Sequence, residues 1–106
     1  MVGTMKFYKP GEGRAIVLYE TSLQGYVDTT YKKLVDAFGE PTGNDGYKTD
    51  AEWDLVFEDG TVASIYNYKD GKNYNGDDGM DVENITDWHI GGYNKLAVER
   101  VTELLT

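Results

Sequence analysis

The sequence predicts a small α+β domain: an antiparallel sheet built on a central hairpin, with two packed helices, in the order β-α-β-β-β-α. Three observations predict it. Tyr31, Leu34, Val35 and Phe38 recur at i, i+3, i+4 and i+7, the spacing of one helix face. Residues 52–58 and 61–69 carry alternating patterns on either side of Asp59-Gly60, the strongest short-range hairpin signal in the chain. Ala97, Val98, Val101, Leu104 and Leu105 form a second helical stripe close to the C-terminus. With 106 residues, 40% of them hydrophobic, there is chain for one domain (1–106) with its own core.

Residues 1–14, broken by Pro10, Gly11 and Gly13, predict an irregular arm, and the apolar run at 15–19 a short buried strand. The first helix begins after Asp28, with Asp28, Thr29 or Thr30 able to cap it; Gly39 provides a left-handed exit and Pro41 prevents continuation. Residues 42–47 read as a loop. A two-residue Asp59-Gly60 turn would set Glu58 opposite Thr61, Phe57 opposite Val62, Leu55 opposite Ser64 and Trp53 opposite Tyr66. Trp53, Leu55, Phe57, Val62, Tyr66 and Tyr68 would then share one sheet face. Residues 70–84 are rich in Asp, Asn and Gly and are expected to be an exposed loop that tolerates shortening. Residues 85–90 return as a strand that Gly91-Gly92 ends, and Asn94 caps the last helix.

Nineteen acidic residues against ten basic ones leave a net charge of −9. The excess is concentrated: residues 36–87 hold fourteen acids and three bases, while residues 1–35 are slightly basic and residues 88–106 balanced. Nucleic acid is bound largely by neutralising phosphates, so direct DNA or RNA binding is not expected. With no Cys there is no disulfide, thiolate metal site or cysteine nucleophile; one His, His89, cannot build a multi-histidine centre. The apolar runs are too short for a membrane span or a secretion signal, so a soluble protein is expected.

Calcium is not expected in the 70–84 loop. Aligned on Asn73 to Gly76, the EF-hand pattern would require ligands where Gly71 and Val82 stand. No carboxylate pair stands out for hydrolysis. His89 points away from Trp88 and Ile90 in an alternating strand, and no carboxylate is expected beside it, Asp87 included. With no phosphate loop or nucleophile elbow, the chain is not expected to be an enzyme or to need a cofactor.

The grouping with the most chemical content is Lys48, Trp53, Tyr66, Tyr68, Lys69, Trp88 and His89, all in or beside three predicted strands. Rings stack on planar ligands, and a lysine among them meets a phosphate that the acidic surface otherwise repels. Gly91 and Gly92, before a helix, would add exposed backbone N–H groups for an anion. The competing reading is structural: cross-strand aromatics are usually core, and a Gly-Gly pair is often only a turn. Lys48 and Lys69 argue against that reading, because a buried face has no use for them.

Lys48-x-x-x-Glu52-Trp53, Asp59-Gly60, Ile65-Tyr66-x-Tyr68-Lys69 and Trp88-His89-Ile90-Gly91-Gly92 together resemble a group of small accessory proteins encoded by tailed bacteriophages. The resemblance covers about residues 29–100 and leaves out the arm through Arg14. It implies a non-enzymatic protein of the host bacterial cytoplasm that counters host defence. Two mechanisms follow. One is sequestration of a small anionic, nucleotide-type immune signal by the aromatics with Lys48, Lys69 and His89. The other is acidic mimicry of nucleic acid that blocks a basic host defence protein. Interleaving of acids with large aromatics favours sequestration. A core this small encloses little space, so a ligand held between protomers of a homo-oligomer is expected.

Overall fold

Thr30 begins the first helix: its hydroxyl accepts the Lys33 N–H at 3.1 Å, leaving Asp28 and Thr29 outside the cap. The structure, a computed structural model, describes residues 5–105. Its elements are β1 (Phe7–Tyr8), β2 (Ser22–Asp28), α1 (Tyr31–Phe38), β3 (Glu52–Phe57), β4 (Val62–Tyr66), a single-turn α2 (Lys72–Asn75), β5 (Asp87–Gly92) and α3 (Leu96–Leu105). The strands form one antiparallel sheet in the order β1-β3-β4-β5-β2. The α+β class and the central hairpin are as the periodicities indicate. Gly39 ends α1 with φ 81°, and its N–H bonds to the Val35 carbonyl.

The hairpin register differs from expectation by one residue. Trp53 stands opposite Ile65, Leu55 opposite Ala63 and Val56 opposite Val62. A two-residue type I′ turn needs positive φ at both central positions. Only Gly60 supplies it (φ 92°), so Glu58-Asp59-Gly60 form a three-residue loop, closed by the Gly60 N–H on the Phe57 carbonyl at 2.8 Å. Because side chains alternate, this slip moves every β4 residue to the other face. Trp53, Leu55 and Phe57 share their face with Ala63 and Ile65, and Val62 and Tyr66 lie on the opposite one.

Two further expectations are corrected. Residues 15–19 form no strand: Val17 and Tyr19 are exposed, and the sheet instead takes β2 from a less apolar segment whose alternation is broken by a bulge between Leu23 and Gly25. The expected arm holds a short edge strand, β1, paired to β3; its residues 1–4 lie outside the described residues. The connection from β1 to β2 crosses from one sheet edge to the other. Arg14 donates to the Phe57 and Glu58 carbonyls, and the Tyr93 hydroxyl lies against the carbonyls of Val17 and Tyr19.

The core lies between α1, α3 and one sheet face. Leu34 and Phe38 of α1, Ala97 and Val101 of α3, and Trp53, Leu55, Phe57, Ala63, Ile65, Trp88 and Ile90 of the sheet are buried in one cluster. Both indoles are satisfied: Trp53 Nε1 donates to the Gly39 carbonyl (2.8 Å) and Trp88 Nε1 to the Ile85 carbonyl (3.1 Å), so burial leaves no orphan donor. Among the described residues no helix is long and apolar enough to cross a membrane.

Residues 70–84 are mostly exposed but are not an unstructured loop. They fold into α2 and two 3₁₀ turns, and a bridge joins Gly71 to Met80. Asn73 donates from its side chain to the Thr49 carbonyl and from its backbone to Asp50 Oδ2, so shortening through Asn73 removes bonds to the strand end. A Cβ on Gly71 would lie 1.9 Å from Asp50 Oδ1, which makes this close approach available to glycine alone.

Candidate functional site

On the sheet face turned away from the helices, alternation places one side chain from each of four neighbouring strands in a row. Tyr26 of β2 stands opposite His89 of β5, His89 opposite Tyr66 of β4, and Tyr66 opposite Glu52 of β3. The His89 ring is the hub: its centroid is 4.8 Å from that of Tyr26, edge to face, and 5.5 Å from those of Tyr66 and Tyr68. Tyr26 is 58% exposed and Tyr68 40% exposed, so this is a surface, in contrast to the Trp53–Trp88 pair on the other face. Burial, with the Glu52 carboxylate and the Tyr68 and Tyr26 hydroxyls nearby, raises the Tyr66 pKa and keeps its hydroxyl protonated.

Two lysines converge on Tyr68, just past the end of β4. Lys69 Nζ is 5.2 Å from the centre of the Tyr68 ring and 5.5 Å from that of Tyr74; Lys48 Nζ is 5.8 Å from Tyr68 and 5.9 Å from Tyr47. Tyr47 and Tyr74 in turn lie 5.3 Å apart. Neither lysine makes an ion pair among the described residues, although acids outnumber bases in this part of the chain. Each is held by ring faces alone, a weak attraction at exposed sites that leaves the ammonium able to meet an anion.

The local backbone sets this arrangement. β4 ends at Tyr66, and Lys69 turns into the left-handed region (φ 63°), with its N–H bonded to the Lys48 carbonyl at 2.8 Å and its carbonyl to the Asn75 side chain. A non-glycine residue there is strained, and the surrounding bonds hold it. The anchor is Asn67, fully buried: its carbonyl oxygen accepts the Asp50 and Ala51 N–H groups, and its amide donates to Asp50 and Asp70. Asn67→Ala leaves two backbone donors and two carboxylates without these partners, so urea unfolding should show a loss of about 3 kcal/mol or more. A loss below about 1 kcal/mol would mean that the network does not hold the lysine loop.

Beside the rings lies a carboxyl pair that sequence reading missed. Glu52 and Asp54, two residues apart on one strand, share this face, with their carboxyls close enough to act on each other. Burial first, then the Asp54 hydrogen bond and charge and the Asp45 charge, push the Glu52 pKa up to about 8. Asp54 Oδ1 is buried with no N–H donor bonded to it, and a proton held by Glu52 lets one carboxyl donate to the other. Asp45 is the opposite case: the Thr49 and Tyr47 amides bond it and hold its pKa low. The pair was legible as Glu52-x-Asp54 in an alternating strand, but nothing in that pattern distinguishes a solvated pair from a protonated one.

Of the sequence-predicted residues, Lys48, Tyr66, Tyr68, Lys69 and His89 come together on this face, joined by Tyr26, Tyr47 and Tyr74. Trp53 and Trp88 do not: both are fully buried on the helix face. Gly91 and Gly92 do not end β5 before a helix but are paired within it on both sides. A Cβ on Gly91 would meet Ser64 Oγ at 2.7 Å, and one on Gly92 the Ala97 Cβ at 2.6 Å, so they serve close packing. Asp87, two residues from His89, stands on the same side of its strand, contrary to expectation. Among the described residues no group of three or more His, Asp or Glu side chains is arranged to hold a metal ion.

Fold and site together define a two-layer α+β domain with one sheet face covered by helices and the other carrying tyrosines, a histidine and two lysines that make no ion pair among the described residues. No family model matches the chain, and no curated protein matches it.

Proposed function

We propose that the protein binds a small nucleotide-type anion on the tyrosine face and acts by sequestering it, as a phage-encoded counter to a nucleotide immune signal in the bacterial cytoplasm. The observation that carries this reading is the convergence of Lys48 and Lys69 on the Tyr68 ring without an acidic partner among the described residues. In a chain of net charge −9, two cations with no ion pair among the described residues, beside clustered rings, suit a ligand that is itself anionic and planar. The face is open, so a ligand of nucleotide size is enclosed only if a second copy covers it, which supports a homo-oligomer. The test is mass spectrometry of small molecules released by heating protein purified from bacteria with an active nucleotide-signalling defence. A nucleotide-type ion is expected from the wild type and not from the Lys48→Glu/Lys69→Glu double variant; no release from folded wild type would overturn the reading.

The second reading, mimicry of nucleic acid against a basic host protein, is favoured by the exposed Asp77, Asp78 and Glu83 on the two 3₁₀ turns and Asp81 just before the second. Asp81 is already engaged by Lys72 at 2.9 Å, and Tyr74 stands in the adjoining turn.

A further inference from the structure

The longest uninterrupted apolar run of the chain, Ala15-Ile16-Val17-Leu18-Tyr19, is uncharged and rich in strand formers, yet it pairs with no strand. Its exposure alternates as a strand's does: Ala15, Val17 (57%) and Tyr19 (79%) face solvent, while Ile16 and Leu18 are half-buried. Among the described residues, the N–H groups of Ile16, Val17, Leu18 and Tyr19 donate no hydrogen bond. The Tyr93 hydroxyl occupies the Val17 and Tyr19 carbonyls, at 2.7 and 2.9 Å. In an extended segment these two residues turn their backbone groups to one edge, and Ile16 and Leu18 turn theirs to the other. The open edge is therefore that of Ile16 and Leu18. An apolar backbone edge without partners is what a strand from another molecule completes.

The ends of the run select which strand. Arg14 precedes it and Glu20 follows it, so the segment is complementary to itself when laid antiparallel. Arg14 then falls opposite Glu20, Ala15 opposite Tyr19, Ile16 opposite Leu18, and Val17 opposite itself. Neither Arg14 nor Glu20 makes an ion pair among the described residues. Arg14 is held through Nη1 at the Phe57 and Glu58 carbonyls, with its guanidinium 4.8 Å from the centre of the Tyr8 ring, which leaves Nε and Nη2 to meet a carboxylate. Glu20, at φ 67°, closes the segment. Charge points to the same place. A chain of net charge −9 repels its own copy, but the excess lies in residues 36–87, whereas residues 1–35 hold five bases and three acids. We propose that residues 15–19 form the contact between two copies of this chain, paired antiparallel about Val17 with Arg14 of each facing Glu20 of the other. Pairing covers Val17 with Val17 and sets the Tyr19 ring beside Ala15. The Leu18 N–H of each copy bonds the Ile16 carbonyl of the other. This contact goes beyond the nucleotide reading and does not rest on it.

The test is sedimentation equilibrium of the full chain without ligand, joined to cross-linking of single-cysteine variants in a sequence that has no other cysteine. The wild type is expected to be a dimer in equilibrium with monomer. Val17→Asp sets two like charges face to face on the two-fold axis and should raise the dissociation constant about tenfold or more. Under mild oxidation Val17→Cys should give a disulfide-linked dimer, because a directly opposed, non-hydrogen-bonded pair has Cα atoms about 4.5 Å apart, within disulfide range. Tyr19→Cys is at a more exposed position but should cross-link far less, since the two Tyr19 positions lie about 14 Å apart along the paired strands. A wild type that is monomeric at every concentration would overturn the proposal and leave the binding of a nucleotide to be judged separately. A dimer that Val17→Asp leaves intact would overturn it too, as would Tyr19→Cys cross-linking as readily as Val17→Cys. Both side chains are exposed, so circular dichroism should show the variants folded, and the wild-type measurement stands without them.

Discussion

Reversing the charge of Lys69 is expected to abolish ligand binding, lowering affinity for a nucleotide-type anion by about a hundredfold or more, because a charge-assisted bond is replaced by repulsion. Lys69→Glu leaves the backbone bonds of Lys69 to Lys48 and Asn75 in place, so circular dichroism should show an unchanged fold. Tyr68→Ala and Tyr66→Ala should each remove stacking worth about 1–3 kcal/mol per base contacted. Trp53→Ala is no test of stacking. It empties the core and should cost about 3–5 kcal/mol of stability before any ligand is considered. Replacing Asp77, Asp78 and Asp81 by Asn acts in the other direction: removing negative charge should leave anion affinity unchanged or raise it slightly, within a Debye length of about 8 Å. A nucleic-acid mimic reverses this order. The aspartate changes would then slow association with the basic partner and reduce its salt dependence, while Lys69→Glu would matter little. Inhibition of the host defence system, lost in the aspartate variant and intact in Lys69→Glu, would replace sequestration by mimicry.

Stability should fall as the pH rises through neutrality, the reverse of what an acidic protein with ion-paired carboxylates does. Glu52 has its pKa raised from 4.5 to about 8 in the folded chain, chiefly by burial and then by Asp54. Between those values the native state holds a proton that the unfolded chain has released, so each step up in pH favours unfolding. The contribution is fully present below 4.5 and gone above about 8. With water reaching the open side of the pair, the loss is on the order of 2 kcal/mol, read as a lower urea midpoint at pH 8.5 than at pH 5.5. Glu52→Gln keeps the donor without the titration and should flatten the profile across this window. A wild-type midpoint independent of pH would show that the pair holds no proton. Asp45 and Asp59 work at the other end of the scale. Amides hold Asp45 low; the Thr61 amide and hydroxyl, with Arg100, hold Asp59 low, so what these two contribute is lost as the pH falls through their folded values.

The α1 and α3 stripes, a cap within residues 28–30, the Gly39 exit and the existence of the hairpin are local facts, and the sequence by itself determined them; that Thr30 is the cap came from the structure. Each depends on residues within four positions of one another, where helix period, capping and glycine conformation act directly. Half of the candidate site was legible on the same terms, since Lys48, Tyr66, Tyr68, Lys69 and His89 are close in the chain or in neighbouring strands. Which face each ring occupies was decided only in the tertiary structure. One positive φ, at Gly60 and not also at Asp59, adds a residue to the turn and exchanges the faces of β4, so Tyr66 parts from Trp53 and joins His89. Whether Glu52 holds a proton was decided there too. A carboxyl's charge depends on the water and the charges around it, and Asp54, Asp45 and burial act together on Glu52 only once strand and loop have closed over them. β2 was likewise selected by pairing rather than by hydropathy: residues 15–19 are more apolar, but Ser22–Asp28 can lie against β5, and a strand's backbone donors are satisfied by a neighbour and not by its own side chains.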